Sequence, residues 1–294
     1  MTAFGDESHD ETRQRVFAVA CVYGPEDVMD EAARSWTERL AGREFHAARL
    51  ESEAVDDPDP QKHKDNLDLY KDLVRLLTQT ELRSYGVAID LAGYRKHFPG
   101  VDDEVFYYKP FTDVLWRVVK HIEDINNALA AKERPIYDLK FTFDHRTETE
   151  YNAGVLYDSF IKSPEWRDRS RFLDDEISFA SRKNPRIQMA DLVARETMKA
   201  LDNTIGPVKR PMRKSLKALG SADGRFQFDL YTEEYFQSWA SKVAELEAAI
   251  ASDSGMTFDR YVAWLREHRL VDNWSNRFRF MVWFDANEHL KRNQ

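Results

Sequence analysis

With 294 residues, 42% of them hydrophobic and 13% aromatic, the chain can bury a sizeable core, and one large domain with an appended part is expected. A net charge of -9 excludes a protein that coats nucleic acid nonspecifically, while leaving room for an enzyme with a local basic track. No run approaches about 18 uninterrupted apolar residues, and the first residues carry no basic-then-apolar signal, so a soluble cytoplasmic protein is expected.

Residues 2–8 read as a short strand, with Thr2, Phe4 and Asp6 on one face and Ala3, Gly5 and Glu7 on the other. The polar segment 7–14 leads into a strongly apolar strand, 15–23, so a hairpin opens the sheet. The single cysteine, Cys21, lies inside that apolar run and reads as a small core residue. Gly24-Pro25 breaks the chain, and 26–40 reads as a helix with acids in its first turn. Read as a strand, 43–50 projects Glu44 and His46 from one face; read as a continuation of the helix, it makes them diverge. The acidic, proline-containing segment 51–60 is expected to be a surface loop. A charged amphipathic helix follows over 61–79, with Leu69, Leu73, Leu76 and Leu77 as its buried stripe. A strand over 82–90 and a long helix over 104–131 come next.

From Tyr137 to Asp144 the chain alternates with period two: Tyr137, Leu139, Phe141 and Phe143 face one way, and Asp138, Lys140, Thr142 and Asp144 the other. Asp144 closes this strand, at the kind of strand end where open α/β sheets handle ligands, although an aspartate can also simply start a turn. A helix over 147–162 and a short strand over 176–182 lead into a helix spanning 184–199, with Pro185 suited to its first turn. Ile187, Asp191, Ala194 and Met198 form one longitudinal stripe of it, so Asp191 faces inward. An unpaired buried carboxylate costs several kcal/mol or more. Its compensation is either Arg195, one turn later, or a divalent metal shared with other carboxylates.

The segment 206–220 carries Lys209, Arg210, Arg213, Lys214 and Lys217 with no acid, shortly after Arg167, Arg169, Arg171, Arg182, Lys183 and Arg186. It reads as a solvated surface or as a track for phosphates. Helices are expected over 232–252 and 257–269. In the tail 274–284, which interleaves Trp, Phe and Arg, burial or a homodimer contact is favoured over base stacking.

Asp6, Glu44, Asp144 and Asp191 thus sit where they could converge. Gathered carboxylates repel unless cations neutralise them. Mg2+ or Mn2+ does so well, being hard and oxygen-seeking, and two such ions about 4 Å apart can activate a water and stabilise a leaving oxygen. Zinc has less support: there is one cysteine and no His-Glu-x-x-His. No glycine loop for phosphates and no Gly-x-Ser-x-Gly is present either.

In their order, Phe4-Gly-Asp-Glu-Ser8, Glu44-Phe-His-Ala47, Phe143-Asp144 and Pro185-x-x-Gln188-x-Ala-Asp-Leu-Val-Ala194 resemble the successive motifs of the bacterial and phage "domain of unknown function 3800" family. The resemblance covers roughly residues 1–205. It implies an α/β fold, a ribonuclease H-like mixed sheet flanked by helices, over 1–205, leaving 206–294 as a basic segment and mainly helical C-terminal extension. It also implies Asp6, Glu44, Asp144 and Asp191 as ligands of Mg2+ or Mn2+, His46 and Gln188 as supporting polar residues, and a suspected role in mobile elements or phage defence. His145-Arg146 depart from the family, which often has another acid or a small polar residue there.

The expectation is therefore a metal-dependent nuclease or phosphodiesterase acting on RNA, DNA or a hybrid, in which His46 orients the attacking water or protonates the leaving group. The alternative is a non-catalytic interaction protein on the same fold with a degenerate acidic site. Hydrolysis of a small phosphoester would use the same residues.

Overall fold

The strand Val16–Gly24 is buried at every position, which marks it as a strand covered on both faces. In the computed structural model, which describes residues 1–10, 12, 14–56, 59–99, 104–128, 139–145, 150–162 and 172–252, it is a central strand of one mixed sheet. Six strands form that sheet among the described residues: β1 (Thr2–His9), β2 (Val16–Gly24), β3 (Arg83–Asp90), β4 (Lys140–Asp144), β5 (Ser178–Ala180) and β6 (Phe226–Tyr231), in the order β5-β4-β1-β2-β3-β6. β2 runs antiparallel to β1 and β3, while β4 lies parallel to β1, β5 to β4 and β6 to β3. This is the expected α/β fold, a mixed sheet flanked by helices.

One face of the sheet, carrying Phe4, Ala20 and Val22, is covered by α1 (Glu26–Leu40), α3 (Pro60–Gln79) and α7 (Pro185–Ile205). Trp36, Leu73, Leu77, Ile187 and Leu192 fill the space between them. On the opposite face α5 (Glu104–Ala128) packs on β2 and β3. Phe111 of α5 there meets Phe143 at 5.0 Å between ring centres, and Tyr157 of α6 (Glu150–Lys162) stands 6.2 Å from Phe141. Cys21 is fully buried, and burial pushes its thiol up to about 12, as befits a core residue.

Three expectations need correction. The segment 43–50 is not a strand: 43–46 is a connection, and a helix, α2 (Ala47–Asp56), begins at Ala47. Ala41 and Gly42, at φ 50° and 84°, end α1 in a left-handed turn, after which the helix-forming run from Ala47 restarts the spiral with Leu50 buried. The acidic segment after Glu51 therefore continues a helix and is not a loop from its start. Third, β6 lies beyond residue 205, in a region expected to fall outside the sheet.

The short helix α8 (Lys214–Gly220) packs on α3, α7 and β6, and the first compact unit runs from Met1 to Glu233. This unit extends past residue 205 because β6 takes the open edge of β3. A short α4 (Leu91–His97) is capped by Asp90, whose side chain accepts from the Gly93 N–H. The second unit, from Glu234, is described through the helix α9 (Glu233–Ser252), on which Tyr235, Phe236 and Trp239 form a ring cluster. The expected helix at 257–269 and the aromatic tail at 274–284 lie outside the described residues, as do residues 137–138 and 147–149 of the expected strand and helix. Among the described residues no helix is long and apolar enough to cross a membrane.

The turn joining β1 to β2 is organised by Asp10. Its carboxylate accepts the Thr12 hydroxyl and the backbone N–H groups of Thr12, Gln14, Arg15 and Val16. Burial alone would raise its pKa, but the bonds from Thr12, Val16 and Arg15 outweigh it and hold the group at about 2 against an ordinary 3.8. A depressed carboxylate adds stability that is complete above its ordinary value and is lost as pH falls through the folded one. Asp10→Asn should therefore lower the urea midpoint at neutral pH and flatten the loss of stability between pH 3.8 and about 2. An acid limb as steep as that of the wild type would refute this role.

Candidate functional site

Register decides which acids meet. β1 and β4 pair in parallel from Thr2 with Lys140 to Gly5 with Phe143, so one step further Asp6 and Asp144 are the next opposed positions. Opposed residues of neighbouring strands point to one face, and alternation puts Asp6 on the face of Phe4, the one covered by α7. Gly5 and Phe143 point to the other face. A Cβ at Gly5 would run into the Phe143 ring, so glycine is what lets that ring lie across β1. Asp6 is buried, with Oδ1 accepting the Glu7 N–H at 2.7 Å. Asp144 is half-buried at the end of β4, with Ala180 of β5 as its neighbour on the other side.

The helix α7 packs on β1, β2 and β3. Asn184 caps it by accepting the Arg186 N–H, Pro185 opens its first turn, and Ile187, Ala194 and Met198 are fully buried as the stripe requires. Asp191, on that stripe, keeps 15% of its side chain exposed. Its Oδ2 accepts the Ala47 N–H at 2.9 Å, so the inward acid sits at the N-terminus of α2, where unpaired N–H groups and the helix dipole favour negative charge. His46 Nδ1 lies 3.6 Å from the same oxygen, and among the described residues this buried nitrogen has no hydrogen-bond partner.

Arg195, one of the two alternatives for compensating Asp191, is turned instead to Glu51, with Nε 2.9 Å from Oε2. Ala47–Asp191 and Glu51–Arg195 are two rungs between α2 and α7, one helical turn apart on each. Arg213 extends the second rung, bridging Glu51 and Glu196. Glu196 is fully buried and also takes the hydroxyls of Tyr70 and Ser215, each at 2.7 Å. Two acids and two guanidinium groups balance. Burial opposes the charge of Glu51, yet Arg213 and Arg195 hold its carboxyl below the usual range; at Glu196 burial prevails and raises it.

The remaining predicted residues do not join these. Glu44 is exposed in the connection after α1, and no hydrogen bond or ion pair among the described residues involves it. Gln188 accepts the Trp36 Nε1–H at 3.0 Å, fastening α1 to α7 in the core. Among the described residues no group of three or more His, Cys, Asp or Glu side chains is gathered as a metal site. Asp6 and Asp144 are nevertheless a fitting donor pair for a hard cation, since both offer carboxylate oxygens from neighbouring strand positions.

Of the basic residues, Arg213 belongs to the buried network, and Arg186 pairs with Asp30 and lies 5.6 Å from the Phe4 ring centre. Lys209, Arg210, Lys214 and Lys217 are exposed, while Arg167, Arg169 and Arg171 lie outside the described residues. The sequence reading missed the Glu51–Arg195–Arg213–Glu196 network. Its signal was present, since Glu196 stands between apolar Leu192 and Ala200 on one stripe, just as Asp191 follows Ile187.

Arg213→Ala should cost about 3–5 kcal/mol, because it leaves Glu196 buried without its cation. Adding Glu196→Gln should recover part of that loss. Urea denaturation checks both, and a loss under about 1 kcal/mol in the single variant would show the network to be slack.

No protein-family model matches the chain, and no curated protein matches it. Among solved structures, it is similar to a chain of the PCNA:RNase HII complex from Archaeoglobus fulgidus. That similarity is at 11% identity over 76% of this chain and 89% of that one, with a TM-score of 0.36.

Proposed function

We propose that this chain is a metal-dependent nuclease or phosphodiesterase of the "domain of unknown function 3800" type, acting on a nucleic-acid strand. The observation that carries this reading is the parallel register that makes Asp6 and Asp144 the next opposed positions of β1 and β4, on one face of the sheet. In it, Asp6 and Asp144 hold Mg2+ or Mn2+, with Asp191 as a further ligand; Glu44, exposed beyond α1, is a candidate ligand by its motif alone. The bound ion would lower the pKa of a water and neutralise charge on the leaving oxygen.

The chain's own groups supply the rest. The Ala47 N–H fixes one oxygen of Asp191, and His46 Nδ1 lies 3.6 Å from that oxygen. With 43% of its side chain exposed, His46 can take a proton from solvent and pass it to a leaving oxygen. Lys209, Arg210, Lys214 and Lys217 offer exposed cations for a phosphodiester backbone. A cytoplasmic role in phage defence or mobile-element biology goes with this reading.

A second reading, a non-catalytic interaction protein, is favoured by one observation: the Asp191 carboxylate already caps α2, which compensates it without a metal.

Labelled single-stranded and duplex RNA, DNA and RNA–DNA hybrid, incubated with manganese, magnesium or chelator, separate the two. Metal-dependent cleavage that falls about 100-fold or more in Asp144→Asn is the expected result. Asp191→Asn should also lose cleavage, with a small drop in melting midpoint as the α2 N-terminus loses its anion. Full cleavage by Asp144→Asn would overturn the site. No cleavage, together with a melting midpoint indifferent to millimolar metal, would leave the interaction protein.

A further inference from the structure

We infer that a pocket at the C-terminal end of α7 binds a phosphate group of a nucleic-acid strand. For its ligand class this rests on the nuclease reading above. The pocket has a volume of about 190 Å³, enough for a phosphate with several waters, and lies between the end of α7, the β1–β2 turn and the segment 206–210. Arg15, Lys199 and Arg210 bring three positive charges to its wall against the two acids Asp10 and Asp202.

The acids do not cancel the cations. Asp10 is taken up by the turn it organises, as described above. Asp202 is shared, with Arg15 Nη2 2.6 Å from Oδ1 and Lys199 Nζ 3.4 Å from Oδ2, so a single acid holds two cations in place at the pocket. Arg210 is exposed, and its side chain makes no hydrogen bond or ion pair among the described residues. Its backbone is nonetheless held, the Arg210 N–H donating to the Asn203 carbonyl at 3.0 Å.

The end of a helix normally repels an anion through its free carbonyls. Here two of them are occupied: Gly206 N–H donates to Asp202 O at 2.8 Å, and Arg210 N–H to Asn203 O. Beside the cations stand Pro207 and Val208, the latter 66% exposed, an apolar wall suited to a sugar and unneeded by a bare anion. Asp202 follows Asp191 by eleven residues on one helix, about 17 Å at 1.5 Å per residue. That equals about five steps of a duplex strand at 3.4 Å each, so one strand can reach both places.

The test uses full-length protein in chelator, where no metal-dependent cleavage interferes, and reads the anisotropy of a labelled oligonucleotide against salt concentration. Arg210→Ala should weaken binding severalfold and reduce the slope of log K against log salt by about 0.7–0.9. Arg75→Ala, which removes another exposed charge, from α3, should leave the slope unchanged. An Arg210→Ala slope equal to that of Arg75→Ala, or no oligonucleotide binding by the wild type, would overturn the proposal. Inorganic phosphate forms the second arm. If it raises the melting midpoint of the wild type but not of Arg210→Ala, while oligonucleotide binding is equal in both, the site takes free phosphate and the nucleic-acid source is wrong. A reduced slope without any metal-dependent cleavage by the wild type would keep the pocket and sink the nuclease; cleavage with an unchanged slope would do the reverse.

Discussion

The arrangement beneath the sheet depends on how α2 is fastened to α7. Two rungs do it: the Ala47 N–H on Asp191 and, one turn on, Glu51 on Arg195, with Arg213 carrying the second rung to the fully buried Glu196. Charges this deep are costly to desolvate, so the network adds little to net stability compared with an apolar packing of the same shape. Its physical effect is geometric. Each acid is satisfied only when α2, α3, α7 and α8 occupy one relative position, because Tyr70, Arg195 and the pair Arg213 and Ser215 come from three separate stretches of chain. His46, the residue before α2, is thereby held against Asp191.

β1 is the second constraint. It is the strand shared by an antiparallel partner, β2, and a parallel one, β4. The hairpin anchored by Asp10 sets its register on one side and the Phe143 ring across Gly5 limits it on the other. A slip of one residue would turn Asp6 away from α7 and put Glu7 there. The two strand acids and Asp191 thus rest on different devices: pairing register for the first two, and a helix N-terminus for the third. Asp191 serves as a cap whether or not it serves as a ligand.

Much of this was legible before the fold was known. Period-two alternation and unbroken apolar runs located β1, β2, β3 and the end of β4, because side-chain periodicity in a strand is fixed by backbone geometry. The proline, the cap and the stripe of α7 were equally plain. The Glu44–His46 segment was not legible. A few residues after a helix can extend, turn or restart a helix with nearly the same composition, and here a left-handed turn at Ala41 and Gly42 chose. β6 escaped notice because a short edge strand with half-buried residues has little alternation to display.

By itself, then, the sequence determined the faces: that Asp6 lies opposite Glu7, that Asp144 ends a strand, and that Asp191 turns inward on a helix. These are local consequences of dihedral geometry and hydrophobic spacing. Only the tertiary structure decided the partners. Which charge neutralises a buried acid depends on groups far apart in the chain, so Arg195 went to Glu51, Asp191 to the start of α2, and Gln188 to Trp36. Glu44, whose position hung on the path of a loop, stayed in solvent. Spacing along a chain states which way a side chain points; what it meets there is set by long-range packing, where the cost of an unpaired buried charge selects among the arrangements on offer.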